Sequence, residues 1–481
     1  MGIIKMIKGW WNSMFEKNVK TAFGVEPITS QLMDVAVLNW MNTYYGRPVW
    51  VDPDNRIKTI NFAKAVCSET ARLTNLAIAI ELDGGSRAEF LKKHIDKAIM
   101  PHLREWVEYG CAAGTVIIKP NGEGADLVTP DRFWIVELDG NRNVSGIVFQ
   151  DSYQSGKEHY TKLEYHRYLD AEVSMPGKEA KKTRYYTISN KTYKSENPDS
   201  IGKECRIEDT KWANLMQEVT ITKQNGDTVD SMLFGIFRMP AANNIDLNSP
   251  LGMAVFADAM EEMKDLDVAY SRNAGEIYDS ESIELLDDRL IIQSGQKIGT
   301  ESEIKLPHHV HNVYGNGADT FYQAIERPIN TDIRITGINN LLSFIGYKCG
   351  YSNGYFVFDE KTGMVTATQV EADDRRTIQL IKDVRDCLQT AIDQYLYAES
   401  VIADLYQLAP VGEYEANYSF GDITYNFEED RQHHYNLATL GKYPWEEYYV
   451  EYLKYSREDA RRLLALAAKE NKDAGLLEDG E

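Results

Sequence analysis

Residues 30–113 place apolar side chains three or four positions apart, the spacing of helices with one buried stripe. TSQLMDVAVLNWMNTYYG has Thr29 or Ser30 as its cap and stops at Gly46. SRAEFLKKHIDKAI pairs Ser86 with Glu89, a capping box in which each side chain satisfies a free backbone N–H. Pro101 restarts the helix, which runs to about Gly114. From 115 to 240 the period changes to that of strands. TVIIK, FWIVEL, SGIVFQ, KLEYHRYL, RYYTIS, EVTITK and SMLFGIFRM are short, β-branched and aromatic, and NGEG, DGNRN and QNGD separate them. They predict antiparallel hairpins, with the polar stretch 170–182 as an exposed loop.

The helical period returns at NIDLNSPLGMAV, with Ser249 as a cap and Pro250 at the first helical position. The stripe Phe256, Met260, Met263, Leu266, Tyr270, Ala274 and Ile277 predicts a helix to about Tyr278, with Asp258, Glu261, Glu262 and Asp265 off that stripe. Residues 279–328 break the pattern: DSESIELLDD reads as a solvated acidic loop, and the rest as strands and a short helix. TDIRITGINNLLSFIG is helical again. After the glycine- and aromatic-rich stretch GYKCGYSNGYFVFDEKTG, Thr366 and Gln369 form a second capping box. The stripe Ile381, Val384, Leu388, Ala391, Tyr395, Ala398 and Ile402 follows, and Pro410 ends it. Unbroken from 366 to 408, this helix spans roughly 65 Å, a length suited to assembly. A strand-like part at 413–427 precedes a helical tail with a Ser456–Asp459 cap and an acidic end. The fold class expected is α+β.

With 481 residues, 43% of them hydrophobic, the chain suffices for several cores. Its net charge of −22 excludes a protein that wraps nucleic acid by neutralising phosphates over its whole surface. Cys67, Cys111, Cys205, Cys349 and Cys387 show no CxxC spacing, which argues against a disulfide scaffold or zinc site. No apolar run of about 18 residues is present, so no membrane span is expected. The start, MGIIKMIKGWWNSMF, lacks a signal-peptide cleavage pattern and reads as a packing arm in preference to an interfacial membrane helix.

Motifs of catalysis are missing: there is no GxxxxGK[ST], HExxH, GxSxG or GxGxxG. DPDN at 52–55 begins like a calcium loop but lacks its glycine. In HHVH, His309 and His311 share a strand face without an evident third ligand. No catalytic residue, metal or cofactor is expected.

Two helical segments flank the insert 279–328 and bring its ends together, like a stalk with a tip, an arrangement that suits a ring with head-to-tail contacts. The run LFGIFRMPAANNIDLNSPLGMAVFADAMEEMKDLDVAYSRNAGEI resembles the start of the stem in portal proteins of tailed double-stranded-DNA bacteriophages, most closely those of long-tailed phages of Gram-positive hosts. Leu233, Phe234, Asn243, Asn244, Asp246, Ser249, Pro250, Leu251, Gly252 and Asp267 carry the likeness. GYSNGYFVFDEKTGMVTATQV resembles a second family segment through Gly350, Ser352, Gly354, Phe356, Phe358, Asp359, Gly363, Thr366, Ala367, Thr368 and Val370, with Gln369 where the family usually has Glu.

The resemblance implies a portal fold. Its parts are a helical and β-rich wing (1–245), a stem of two helices (246–278 and 329–346), a small α/β clip (279–328), a tunnel loop (347–365), a long spine helix (366–409) and a helical crown (410–481). It implies a homo-oligomeric ring, a dodecamer, at one capsid vertex of the virion, assembled in the host cytoplasm and passing double-stranded DNA. Implied partners are the terminase large subunit, a head-completion adaptor, scaffold and the major capsid protein, with no membrane. Lys348, Tyr351, Asn353, Tyr355, Asp359, Glu360 and Lys361 are then candidates to face DNA from the tunnel loop. Asp258, Glu261, Glu262 and Asp265 are candidates for an acidic channel wall that keeps DNA from sticking. Asp287, Asp288, Arg289, His308, His309 and His311 are candidates for docking at the clip. Competing readings are another virion ring or connector, an acidic glycosidase with two carboxylates, and a peripheral membrane protein anchored by residues 3–15.

Overall fold

Alternating apolar residues between 115 and 240 build antiparallel sheet, and the helical stripes on either side cover it. The computed structural model describes residues 18–51, 56–173, 181–198, 200–223, 228–279, 283–287, 310–313, 322–325, 331–357, 375–421, 434–440, 442–453 and 455–473. The chain is α+β, and it divides into two compact units after Ser419.

In the first unit, α1 (Gln31–Tyr44) starts at Ser30, whose hydroxyl accepts from the Met33 N–H at 3.4 Å. α2 (Phe62–Thr74) and α4 (Leu103–Ala113) bury Val66, Cys67 and Ala71 with Val107 and Cys111. Between them, α3 (Ser86–His94) runs into a π turn at Ile95–Ile99. The expected Ser86–Glu89 capping box does not form. The N-cap is Gly85, and Ser86 already lies inside the helix. A helical reading of 30–113 also misses β1 (Ala79–Asp83).

β2 (Thr115–Pro120) and β3 (Ala125–Val128) form a hairpin. β4 (Phe133–Leu138), β5 (Val144–Ser155), β6 (Glu158–Val173), β7 (Lys181–Ser195) and β8 (Lys203–Cys205) follow one another in an antiparallel sheet, with β9 (Glu218–Ile221) also on β7. One face buries Val148, Leu163, Tyr165 and Tyr193 under Val19 and Ala22. The exposed loop expected at 170–182 is shorter than that span, because cross-strand pairing extends to Val173↔Lys181. β10 (Gly235–Arg238) then joins β2 antiparallel.

α5 (Met260–Asp279) and α6 (Thr331–Lys348) pack antiparallel: Lys348 pairs with Glu262 at one end and Arg334 with Glu276 at the other. The helix expected from Pro250 begins ten residues later, after a 3₁₀ turn at Ala257–Ala259, so Ser249 caps no helix. Between the two helices in sequence, β11 (Ile283–Asp287) lies between β12 (Val310–Val313, parallel) and β13 (Tyr322–Ile325, antiparallel). The acid run expected as a solvated loop therefore supplies the central strand of a small sheet. The expected Thr366–Gln369 box falls outside the described residues.

α7 (Arg375–Leu405) spans about 46 Å at 1.5 Å per residue. It buries Ile381, Val384, Leu388, Ala391, Tyr395 and Ala398. It crosses β10 so closely that a Cβ on Gly235 would lie 2.1 Å from the Ala391 carbonyl oxygen. It ends at Leu405 and not at Leu408, where the Leu408 N–H turns back to Ala403 O at 2.9 Å. β14 (Glu415–Ser419) pairs with β1, so the first unit extends past residue 410, where the sequence places the crown's start.

The second unit contains α8 (Trp445–Glu451) and α9 (Arg457–Asp473), joined by Arg461–Glu446 at 2.9 Å and Arg457–Glu447 at 3.0 Å. Ser456 accepts from the Asp459 N–H at 3.1 Å, the cap read from the sequence. All five cysteines are free thiols.

Candidate functional site

The motif residues 243–267 form a junction where the helices 31–113, the sheets and α5 meet. Asn243 Oδ1 accepts from the N–H groups of Ile245 at 3.0 Å and Asp246 at 2.9 Å, while its amide donates to Leu251 O at 3.1 Å. Asp246 Oδ2 accepts from the Ser30 N–H at 2.8 Å, and its other oxygen from Asn248 at 3.0 Å and Ser249 at 3.3 Å. Partial burial alone would raise the Asp246 carboxyl, but these donors outweigh it and hold it below the usual range. Gly252 and Gly114 cross backbone to backbone. A Cβ on Gly252 would sit 2.5 Å from Gly114 O, and one on Gly114, where φ is +77°, 2.3 Å from Gly252 O. Buried Asp267 accepts from Trp50 Nε1 at 2.8 Å and from the Ile60 N–H at 2.9 Å, tying residues 50–60 to α5.

Residues 350–357 of the second motif fold onto α2. Tyr351 is fully buried, its hydroxyl 2.7 Å from Thr70 Oγ1. The Tyr355 hydroxyl donates to Glu69, and Phe356 meets Phe62 edge-on with ring centroids 5.2 Å apart. Ser352 N–H donates to Thr377 Oγ1 of α7 at 3.0 Å. Tyr351 and Tyr355 are thus anchors within one chain, a correction to their expected place facing DNA. Glycines disguise this: Gly350 and Gly354, at φ +90° and +77°, turn the aromatic rings inward. Tyr351→Phe is expected to lower stability by about 1 kcal/mol, the net worth of one buried hydrogen bond, as read by urea unfolding.

Lys348 donates to Glu262 Oε1 at 2.6 Å and to Asp258 O at 3.1 Å. Partial desolvation would raise the Glu262 carboxyl, but the bond from Lys348 outweighs it. Two expected channel residues therefore neutralise each other. Asp258 is exposed and accepts from Asn244 Nδ2 at 2.9 Å. Glu261 and Asp265 are exposed one turn apart, Glu261 with Lys264 at 3.8 Å. Asn353 is exposed. Asp359, Glu360, Lys361, Asp288, Arg289, His308 and His309 lie outside the described residues. Asp287 ends β11, and His311 pairs opposite Leu285 in β12.

Sequence reading missed a buried charge cluster in the sheet. Glu164 takes Lys119, Lys162 at 2.7 Å and His166 Nε2 at 2.6 Å. His166 Nδ1 lies 2.6 Å from the Tyr186 hydroxyl, which accepts from the Leu233 N–H at 3.3 Å. A carboxylate only accepts, so Nε2 carries the proton, and in the neutral ring Nδ1 accepts from Tyr186; a protonated ring would require the phenol to accept from Nδ1 and turn its own proton elsewhere. Burial accordingly pushes the imidazole below its usual range, although Glu164 opposes the shift. Burial alone would raise the Glu164 carboxyl; Lys119, the His166 bond and Lys162 hold it well below. The signal lay in KLEYHRYL, where Lys162, Glu164 and His166 alternate onto one strand face.

Just below pH 6.5 the unfolded His166 binds a proton that the folded one refuses, so stability falls as pH drops through that value. The depressed Glu164 adds loss of the same sign below its ordinary value of 4.5. We expect the unfolding free energy from urea melts to fall between about pH 7 and pH 5.5, by up to about 1.4 kcal/mol per pH unit for this proton. His166→Gln should flatten that slope.

Among the described residues, no group of three or more His, Cys, Asp or Glu is placed to hold a metal ion, and no helix is long and apolar enough to cross a membrane. Compared with protein families and with curated proteins, the chain matches none.

Proposed function

We propose that this protein is a portal: a ring subunit of a tailed phage that forms the channel for DNA entering and leaving the capsid. The observation that carries the reading is the antiparallel pair α5–α6, footed on the Asn243–Gly252 junction and bearing a three-stranded sheet inserted between its helices. Both helices carry exposed apolar residues: Ile277, Ile333 and Phe344 are each more than half exposed. Exposed apolar surface of this kind suits contact with further copies around an axis. In this reading the sheets and the helices of 31–113 form the wing, and the second unit forms the crown. The ring is a dodecamer at one vertex of the virion, closed in the host cytoplasm with scaffold and the major capsid protein. The insert between the stem helices docks the terminase large subunit and later the head-completion adaptor. The chain itself does no catalysis; ATP hydrolysis belongs to the terminase.

Negative-stain electron microscopy with native mass measurement tests the reading. A dodecameric ring with a hole wide enough for duplex DNA supports it. Monomers at high concentration, with and without scaffold, would sink it.

With Glu262 committed to Lys348 and Asp258 hydrogen-bonded by Asn244, the exposed wall carboxylates on α5 itself are Glu261, 3.8 Å from Lys264, and Asp265. Each Lys–phosphate contact adds affinity through counterion release. Replacing both residues by lysine is expected to slow packaging several-fold in a terminase-driven DNA translocation assay, with less effect at high salt. An unchanged rate at low salt would exclude a wall at these positions.

A further inference from the structure

A cavity of about 380 Å³ lies apart from the stem and its loop, where β7 exchanges one edge partner for another. β9 pairs with β7 over Tyr186–Ser189 and β8 over Thr192–Lys194. Between them the edge opens, and Ala22 and Phe23 help to wall the gap. The pairings Tyr165↔Ser189, Ser189↔Glu218 and Tyr193↔Glu204 set Arg167, Ser189, Lys191, Glu204 and Glu218 on one face of the sheet. That is the face whose Tyr165 and Tyr193 belong to the apolar core beneath Val19 and Ala22. A core face that turns charged costs free energy unless the polar groups find partners. Here Arg167 Nε and Ser189 Oγ are buried without a hydrogen-bond partner among the described residues. The guanidinium stacks on Tyr165 at 4.9 Å, and the Lys191 ammonium stands 5.7 Å from the Phe23 ring. Glu204 and Glu218 are exposed at the rim.

We propose that this cavity binds a compact zwitterion of amino-acid or dipeptide size. Its carboxylate meets Arg167, Ser189 and Lys191, and its ammonium meets Glu204 and Glu218. The positive charge of Arg167 and Lys191 with the Ser189 hydroxyl on the inner wall suits a carboxylate. The acidic rim disfavours a simple anion, and the cationic interior disfavours a simple cation. The volume is at the small end of ligand sites, which suits a compact guest. The inference is independent of the ring reading.

Calorimetry on the full chain with glycylglycine, N-acetylglycylglycine, glycylglycinamide and inorganic phosphate tests it. Glycylglycine is expected to bind saturably, and the two one-ended dipeptides and phosphate at least tenfold more weakly. Ser189→Ala and Arg167→Met should each weaken glycylglycine at least tenfold. Glu218→Gln should weaken glycylglycine and leave the acetylated dipeptide unchanged. Cys205 lines the cavity, and Cys387 does not. Saturating glycylglycine should slow alkylation of Cys205 several-fold and leave Cys387 unaffected. No saturable binding by glycylglycine, phosphate binding as tightly, wild-type affinity in Ser189→Ala, or unprotected Cys205 would each overturn the proposal.

Discussion

Replacing Glu164 by glutamine is expected to destabilise the first unit by about 3–5 kcal/mol at neutral pH, the cost of leaving buried charge without its partner. Among the described residues, Glu164 is the carboxylate bonded to Lys119, Lys162 and His166 together. Glutamine keeps the shape and loses the charge. It leaves two lysines in a site where Lys119 already has its ammonium disfavoured by burial, against the pull of Glu164. The loss should shrink at high pH, where Lys119 sheds its proton more readily in the folded state than in the unfolded one. Urea unfolding at about pH 7 and about pH 10 reads both effects. Lys119→Met and Lys162→Met added to Glu164→Leu should recover most of the stability, because an apolar cluster of similar volume needs no counter-charge. A Glu164→Gln protein as stable as wild type would mean that the cluster is solvated.

Arg87→Ala is expected to cost about 3–5 kcal/mol and to loosen the end of α7. The guanidinium is 1% exposed. It pairs with Asp404 and donates to Ser400 O at 3.0 Å, Pro410 O at 3.0 Å and Ala409 O at 3.3 Å. The last carbonyls of α7 are met by the backbone, Ile402 O by Tyr406, Ala403 O by Leu408 and Asp404 O by Gln407; the Arg87 side chain from α3 ties the last turn of the helix to the 409–410 segment that follows it. Lysine cannot reproduce the planar fork, so Arg87→Lys should recover little. Hydrogen exchange should localise the effect to residues 403–411, and uniform protection across α7 in the variant would refute the assignment.

The strands were legible between 115 and 240 because apolar residues alternate there: Leu163 and Tyr165 are inward and spaced by two, with Val148 opposite Tyr165 on the next strand. β1 escaped because Ala79–Asp83 is short and sits among helical patterns, and its partner β14 lies far along the chain. Ser249-Pro250 carries the composition of a helix start, yet Asp246 and Asn243 already claim the local backbone N–H groups, so the chain turns before it coils. Tyr351 and Tyr355 looked available because glycines surround them. Their burial depends on Thr70 and Glu69 of α2, a contact no local pattern encodes. Of the wall candidates, the exposed Glu261 and Asp265 were readable from helical spacing. The pairing of Glu262 with Lys348 depends on how α5 and α6 align.

The pairing of β1 with β14 also has a consequence for synthesis. Ala79–Asp83 leaves the ribosome long before Glu415–Ser419 exists, so this two-stranded sheet cannot close until the chain is almost complete. Loop closure over such a separation is slow compared with a hairpin. Through that interval the backbone edge of β1 is without its native partner, and unpaired edges invite pairing between nascent chains. Protein chopped off before residue 415 should therefore precipitate or bind chaperones, although it contains the whole β4–β9 sheet and all of α5 and α6.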